Sequence, residues 1–252
     1  LADTRQTFHF YNKAGQQTHS VDAEGGVSAF EYDGFGNVVS ETRYAAGVEV
    51  SDVVRGAEGS VVSQLNDNDS LNRTMRQVYN AANQLVFSVN GEGEITKQRY
   101  DELGRLSDRY QYDGVTASGT ESAAALSALV QTADAVRHVR YSYDKTGRLE
   151  SEVVDPDGLI LSTSYEYDVA GNRTAVIDRN NNRSEFAYDA LNRLVWSRDA
   201  EGRVNTNRYD TQGRLEQSTV HFAVNGAALA MGELPAAHAK DQTVSYVYDE
   251  PV

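Results

Sequence analysis

The sequence predicts an all-β fold, an array of antiparallel β-hairpins in a curved or spiralling sheet with one inserted amphipathic helix. Three observations predict it: a tyrosine recurs nine times with a basal spacing of 21 residues, turn residues follow each tyrosine at fixed offsets, and a second set of turns lies half a period later. Self-similarity at a fixed period is typical of stacked arrays in which each unit packs on its neighbours. The tyrosines are Tyr11, Tyr32, Tyr79, Tyr100, Tyr143, Tyr167, Tyr188, Tyr209 and Tyr248.

Residues typical of turns follow the tyrosine of every complete unit: Asp or Asn comes directly after the tyrosine, and Gly or Asn comes three residues further on. An Asp or Asn side chain accepts a hydrogen bond from the backbone two residues on, and Gly or Asn tolerates the left-handed conformation that closes a hairpin with a bulge. We therefore interpret these positions as structural. The predicted repeat residues are Tyr32, Asp33, Gly36, Tyr100, Asp101, Gly104, Arg105, Tyr143, Asp144, Gly147, Arg148, Tyr167, Asp168, Gly171, Tyr188, Asp189, Asn192, Tyr209, Asp210 and Gly213.

The second set of turns has the same internal spacing and divides each unit into two short strands. Leu85, Phe87 and Val89 alternate with other residues between two turns, as expected of a strand. The pairs that define this set are Asp22/Gly25, Asp69/Asn72, Asn90/Gly93, Asp155/Gly158, Asp178/Asn181 and Asp199/Gly202.

Two further groups of side chains keep the same period. One consists of aromatic residues two positions before a repeat tyrosine, which should share a sheet face and line up as a ladder; they are Phe30, Tyr141, Tyr165, Phe186 and Tyr246. The other consists of arginines beside acidic turns, which we expect to form ion pairs; they are Arg105, Arg148, Arg193 and Arg214.

The composition favours a thin sheet that is wet on both faces, with 40% hydrophobic residues and a mean hydropathy of −0.55. Eight units supply about 16 strands, and strongly twisted open sheets rarely exceed about 10 strands without bending, so the layer should curl. We predict a single array over residues 1–252 with three insertions, at about 45–68, 113–139 and 223–243.

The insertions differ in what they predict. The first is expected to be a loop or an extra hairpin. The second predicts a helix from Glu121 to about Arg137, because Leu126, Leu129, Val130, Ala133 and Val136 share one helical face, and Ser118 or Thr120 could cap its start. The third contains Pro235 and predicts a loop with at most one helical turn.

The charge balance argues against nucleic-acid binding, because the chain has a net charge of −14 and phosphate contacts need clustered Lys and Arg. Cysteine is absent, which removes disulfides and thiolate metal sites. The sequence shows neither a transmembrane run nor a signal peptide, so we expect no membrane insertion by this segment. Since Leu1 is not a start methionine and the chain stops four residues after Tyr248, we expect a fragment of a longer protein.

Catalytic and metal-binding patterns were not found, so the sequence predicts no enzyme, no cofactor and no metal. Five scattered histidines are expected on exposed strands or loops; they are His9, His19, His138, His221 and His238. Asp67 and Asp69 resemble the start of a calcium loop, but the Gly and the closing Glu are missing. We interpret that segment as a solvated loop followed by a turn.

The motif Tyr-Asp-x-x-Gly-Arg-Leu at Tyr100–Leu106 and Tyr143–Leu149, with variants elsewhere, resembles the RHS/YD-repeat family. This family includes bacterial Rhs polymorphic toxins, the cocoon-forming components of Tc toxin complexes and animal teneurins. The resemblance implies a long β-ribbon spiralling into a hollow shell, which in bacterial members encloses a toxin. Asp155–Leu159 is similar to the D-P-x-G-L motif of the self-cleaving region, but it lies at a regular hairpin position, so we assign a turn and no self-cleavage.

The resemblance implies a non-enzymatic shell segment that encapsulates and helps deliver a toxin cargo in a secreted polymorphic or Tc-like toxin. Its partners would be the remainder of a longer RHS chain and the enclosed toxin domain, and its location secreted or at the cell surface. The alternative is an adhesion or carbohydrate-binding module, in which exposed tyrosines and Trp196 stack on cell-surface glycan.

Overall fold

A computed structural model describes residues 6–113, 117, 122–131, 133–222, 231–234 and 236–248. The chain forms two compact units, Leu1–Val139 and Arg140–Val252, and the division falls within the ninth strand. The described residues form antiparallel strands joined by turns, together with short helices, which confirms the predicted hairpin array and its inserted helix. The single array over residues 1–252 and the curvature of the sheet stay predictions.

Seventeen strands lie in the described part of the chain, and within each unit successive strands pair in an antiparallel sense. The first unit contains β1 Phe8–Tyr11, β2 Gln17–Val21, β3 Val27–Tyr32, β4 Val38–Arg43, β5 Arg73–Tyr79, β6 Leu85–Val89, β7 Ile95–Tyr100 and β8 Leu106–Tyr112, and is followed by β9 Ala135–Tyr143. The second contains β10 Leu149–Val154, β11 Leu161–Tyr167, β12 Arg173–Ile177, β13 Arg183–Tyr188, β14 Leu194–Arg198, β15 Val204–Tyr209, β16 Leu215–His221 and β17 Gln242–Ser245.

A β-bulge closes the hairpins at their repeat tyrosines. In the hairpin of β3 and β4, Glu31 pairs with Ser40 but Tyr32 pairs with Val38, so one residue of β4 is skipped. The same shift occurs in the hairpins closed at Tyr11, Tyr79, Tyr100, Tyr167, Tyr188 and Tyr209. Such a bulge needs a residue with positive φ, which explains why only Gly and Asn are found there.

The second set of turns closes the opposite ends of the strands. Gly25, Gly93, Asn181 and Gly202 have positive φ, between 63° and 88°. The turn between β10 and β11 differs, because Asp155 itself has a φ of 54° and Gly158 is outside the left-handed set. Its backbone bonds nevertheless close a hairpin, with the Asp155 carbonyl accepting from the N–H groups of Gly158 and Ile160.

The first insertion, for which a loop or an extra hairpin was expected, is a loop that contains two short helical turns. A 3-10 turn covers Val50–Asp52, and α1 covers Gly59–Val62. The valines of this insertion pack on apolar side chains of β1 to β3. The buried cluster consists of Phe10, Val21, Val27, Val48, Val53 and Val61. Two short helical turns bring valines that are far apart in sequence onto the same patch.

The second insertion contains the predicted helix, but α2 covers only Ala123–Leu129. Leu126 and Val130 pack on Phe87, Val89 and Ile95 as expected. The helix stops early because the chain enters β9 at Ala135, so Ala133 lies before that strand and the exposed Val136 within it. Ser122 caps the start by accepting from the Ala125 N–H, while Ser118 and Thr120 lie outside the described residues.

After the third insertion, β17 begins at Gln242 and pairs with β16. Pro235 lies outside the described residues.

Candidate functional site

The site that the sequence marks is the tyrosine turn, the loop after each repeat tyrosine. We call its first residue the acceptor, its fourth the left-handed residue and its fifth the latch. In the turn after Tyr209, the Asp210 carboxylate accepts from the N–H groups of Gln212 at 2.9 Å and Arg214 at 2.8 Å, and its carbonyl accepts from Gly213. The left-handed residues Gly15, Gly36, Asn83, Gly104, Gly147, Gly171, Asn192 and Gly213 have φ between 60° and 91°.

Each acceptor also binds the side chain of its own latch, and the two partners are chemically complementary. Where the acceptor is Asp, the latch donates: the arginines lie 2.7 Å from the carboxylate in the pairs Asp101/Arg105, Asp144/Arg148, Asp189/Arg193 and Asp210/Arg214. Asn37 and Asn172 donate to Asp33 and Asp168 through their amides. Where the acceptor is Asn, the latch is Gln, and the Gln carbonyl accepts from Asn12 or Asn80.

These bonds favour ionised acceptors. The side-chain hydrogen bond from Arg214, together with backbone hydrogen bonds, holds the pKa of Asp210 below its usual value, although partial burial opposes the shift. The Asn37 amide does the same for the pKa of Asp33. The carboxylates therefore act as fixed hydrogen-bond acceptors and not as proton carriers.

The hydroxyl of a repeat tyrosine joins its unit to the preceding one. Tyr167 donates to the Leu149 carbonyl at 2.8 Å, and this carbonyl lies six residues after the previous repeat tyrosine, Tyr143. The same offset holds for Tyr32 to Gln17, Tyr100 to Leu85, Tyr188 to Arg173, Tyr209 to Leu194 and Tyr248 to Leu215, at 2.8–3.2 Å. This contact was not predicted from the sequence, although Tyr rather than Phe at all nine positions was a signal for it. Tyr79 differs, because its hydroxyl donates to the Gln77 side chain of its own strand.

The arginine latches contact the next unit as well. The guanidinium of Arg193 lies 4.6 Å from the ring centroid of Tyr209, and that of Arg214 lies 4.5 Å from Tyr248. Arg148 stacks in the same way on Tyr167, at 4.8 Å. Each of these arginines thus links a carboxylate in its own turn to the ring of the next unit, and a cation–π contact of this kind contributes about 0.5–1 kcal/mol at an exposed site.

The predicted aromatic ladder is bridged by a guanidinium. Arg173 lies 5.7 Å from the ring centroid of Tyr165 and 5.8 Å from that of Phe186. Among the described residues, the ring pairs in contact are instead Tyr110 with Tyr112 and Tyr110 with His138. The neighbouring ladder residues Tyr165 and Phe186 are therefore linked through Arg173.

A charged network on β11, β13 and β14 was not foreseen. Arg183 lies between Glu166, at 2.6 Å, and the buried Glu185, at 3.0 Å, and Arg198 also binds Glu185. Burial opposes ionisation of Glu185, but the hydrogen bonds from Arg183 and Arg198 outweigh it and keep its pKa below the usual value. Two cations and two anions balance in this network, so the buried Glu185 has partners for its charge.

Trp196 is buried at 2% exposure, and its indole N–H donates to the Glu233 carbonyl at 3.0 Å. The ring is therefore covered by the third insertion and is not available to stack on a sugar, contrary to the role that the adhesion alternative gave it.

Three of the histidines are shielded and paired with carboxylates, so the expectation of exposed histidines was wrong for them. His19 contacts Glu58 at 2.7 Å, and His138 contacts Asp108 at 2.9 Å. The third pair is His221 with Asp241 at 3.5 Å. Within the described ranges, no cluster of three or more His, Asp or Glu side chains has a metal-binding arrangement.

Asp67 accepts from the Tyr44 hydroxyl at 2.6 Å, and burial together with this carboxylate raises the pKa of Tyr44 to about 12.

In the same described ranges, no helix has the length and apolarity needed to cross a membrane.

Comparison with known proteins defines the class. A family model for the teneurin YD-shell matches residues 124–251, half of the chain, and one for the RHS repeat matches residues 11–49. The chain therefore belongs to the RHS/YD-repeat family of shell proteins.

Among particular relatives, it is 33% identical over 119 residues to the toxin protein Tse5 of Pseudomonas aeruginosa, which corresponds to 46% of this chain and 8% of that protein. Its fold is similar to a chain in the crystal structure of TcdB2-TccC3-Cdc42, with a TM-score of 0.61, 18% identity, and coverage of 95% of this chain and 11% of that one. The chain thus spans about a tenth of each of these proteins.

Proposed function

We propose that this chain is a non-enzymatic wall segment of a bacterial RHS shell, which encloses a toxin domain and helps to deliver it outside the producing cell. The observation that carries the proposal is the tyrosine joint, in which the hydroxyl of one repeat binds the carbonyl of the preceding repeat in both compact units. Because each joint links neighbours only, the array can extend through any number of repeats. The partners would be the remainder of a longer RHS chain and its cargo.

A wall built this way protects by hydrogen bonding and exclusion. Strands paired on both sides have their backbone groups engaged in the sheet, so they present no extended segment that a protease can bind. The net charge of −14 would further disfavour contact with nucleic acid and anionic membranes before delivery. The relationship to Tse5, a protein named as a toxin, supports the toxin context.

The test uses the longest natural chain that contains this segment. Tyr167→Ala and Tyr209→Ala together remove two joints in the second unit, and Leu191→Ala is the control, because Leu191 lies in the same unit, is 71% exposed and takes no part in a joint. Limited proteolysis followed by mass spectrometry then measures how fast the toxin domain is cleaved. We expect faster cleavage in the double variant and an unchanged rate in the control.

Hydrogen exchange of residues 6–113 confirms that the rest of the variant is folded. Equal protection of the toxin domain in all three proteins, with exchange showing that the joints had opened, would contradict the proposal.

A further inference from the structure

The latch of one tyrosine turn also contacts the next tyrosine turn, and the length of its side chain determines how. Asn172 donates from its amide to the Asn192 side-chain carbonyl at 2.8 Å. The same bond joins Asn37 to Asn83, although these two residues are 46 positions apart and the first insertion lies between them. In both cases the partner is the left-handed residue of the next turn, with a φ of 60° at Asn192 and 62° at Asn83.

Longer latches reach the backbone of the next turn instead. Gln84 donates to the Gly104 carbonyl at 3.3 Å, and Arg148 donates to the Asp168 carbonyl at 2.8 Å. A Cβ added to Gly104 would lie 3.2 Å from the Gln84 amide nitrogen, which is closer than an ordinary van der Waals contact. At Gly104 the latch therefore lies in the space that an Asn side chain would need. The Arg193 guanidinium lies 3.7 Å from the corresponding position at Gly213, while at Gly171 that position is open.

The sequence keeps to these two combinations through all eight complete units. Whenever the latch is Asn, the next left-handed residue is Asn, and whenever the latch is Gln or Arg, it is Gly. The successive pairs are Gln16/Gly36, Asn37/Asn83, Gln84/Gly104, Arg105/Gly147, Arg148/Gly171, Asn172/Asn192 and Arg193/Gly213.

We propose that the latch and the next left-handed residue form a matched pair that selects which hairpin can lie beside which. A short Asn latch accepts a hairpin that carries Asn at this position, and a long Gln or Arg latch accepts one that carries Gly. A long latch opposite Asn would place two side chains in one space, whereas an Asn latch opposite Gly would lose its hydrogen bond across the joint. The pairing specifies the neighbour and is independent of whether the shell encloses cargo.

The test is a double-mutant cycle at Asn172 and Asn192. Asn172→Arg preserves the contact within its own turn, because Asp168 would gain the ion pair that Arg148 makes with Asp144. Without matching, this variant should therefore be neutral or stabilising. With matching, it should increase hydrogen exchange of the amides in residues 189–194 roughly tenfold, and Asn172→Arg with Asn192→Gly should return exchange to within about threefold of the natural protein.

Asn181→Gly is the matched control for Asn192→Gly. Asn181 has nearly the same backbone conformation, with a φ of 63°, but lies in the opposite set of turns. The Asn181→Gly variant relieves the same backbone strain without removing a latch bond. Amide hydrogens around the mutated turn should therefore be roughly threefold less protected in Asn192→Gly than in this control.

Additive effects in the cycle, or an Asn172→Arg variant as protected as the natural protein, would overturn the proposal. If Asn172→Arg does not fold, Asn172→Gln replaces it in the same cycle, since Gln16 and Gln84 are latches that precede glycine. Absence of rescue by Asn192→Gly in that background would be equally decisive.

Discussion

Replacement of Tyr167 by Phe removes one hydroxyl and leaves the ring in place, so it isolates the joint between two repeats. The hydroxyl donates to the Leu149 carbonyl at 2.8 Å, while the ring keeps its contact with Arg148 at 4.8 Å. A neutral hydrogen bond of this kind contributes about 1 kcal/mol net to stability. Loss of about 1 kcal/mol should increase local opening roughly fivefold.

Hydrogen exchange measured by mass spectrometry, on peptides that cover residues 149–154 and 161–167, reports that opening. Tyr209→Phe should have a smaller effect, because the Leu194 carbonyl also accepts from Asn207 at 3.2 Å and would keep that partner. Tyr79→Phe is the control, since the Tyr79 hydroxyl donates to the Gln77 side chain of its own strand at 2.8 Å. If exchange around the joint in Tyr167→Phe rises no more than exchange around residue 79 in Tyr79→Phe, the joint does not hold the repeats together and the reasoning is refuted.

Three further perturbations test other parts of the repeat. The pKa of Asp144 is held below its usual value by hydrogen bonds within its own turn, led by that of the Thr146 hydroxyl. The contribution of these bonds to stability is therefore complete above about pH 4 and is lost as the pH falls further. Amide exchange of this turn, measured as a function of pH, should show the loss, whereas turns that begin with Asn should not. Gly171→Ala should cost about 1–2 kcal/mol from backbone strain alone, because φ is 91° and an added Cβ meets no atom within 4 Å; a neutral result in denaturant unfolding would contradict this. Trp196→Ala should cost about 3–5 kcal/mol in the same measurement, whereas Leu191→Ala, at 71% exposure, should be close to neutral.

The sequence determines the local part of this fold almost completely. Positive φ at Gly104 and Asn192, and the hydrogen bonds that the Asp101 carboxylate accepts from its own turn, depend on residues only a few positions apart. Turn chemistry of this range can be inferred from residue type and spacing, because few residues tolerate the left-handed conformation. The strands then follow as the segments between turns.

The contacts that could not be predicted from the sequence are those that depend on which segment folds over which strand. Trp196 reads as an exposed ring until residue Glu233 is known to lie over it, and His221 reads as an isolated histidine until Asp241 is placed beside it. These contacts join residues 37 and 20 positions apart through a segment without periodicity. The end of α2 could not be predicted for a related reason. Val136 fits both the helical pattern of apolar residues and the alternation of apolar residues in β9.

The positions of the insertions and the apolar parts of the sheet have a common explanation. Leu126 of α2 covers Phe87, Val61 of the first insertion packs in the cluster that contains Val21, and the third insertion covers Trp196. Away from these insertions the strands are largely polar, as in β11, whose sequence is LSTSYEY. Since large exposed apolar patches are sites of association or aggregation, covering these three apolar clusters of the strands leaves sheet faces to which an enclosed polypeptide would adhere less, although turn residues such as Phe35 and Leu103 stay exposed. This property is what the proposed container needs for release of its cargo, and the polar joints provide it because they link repeats without a thick hydrophobic core.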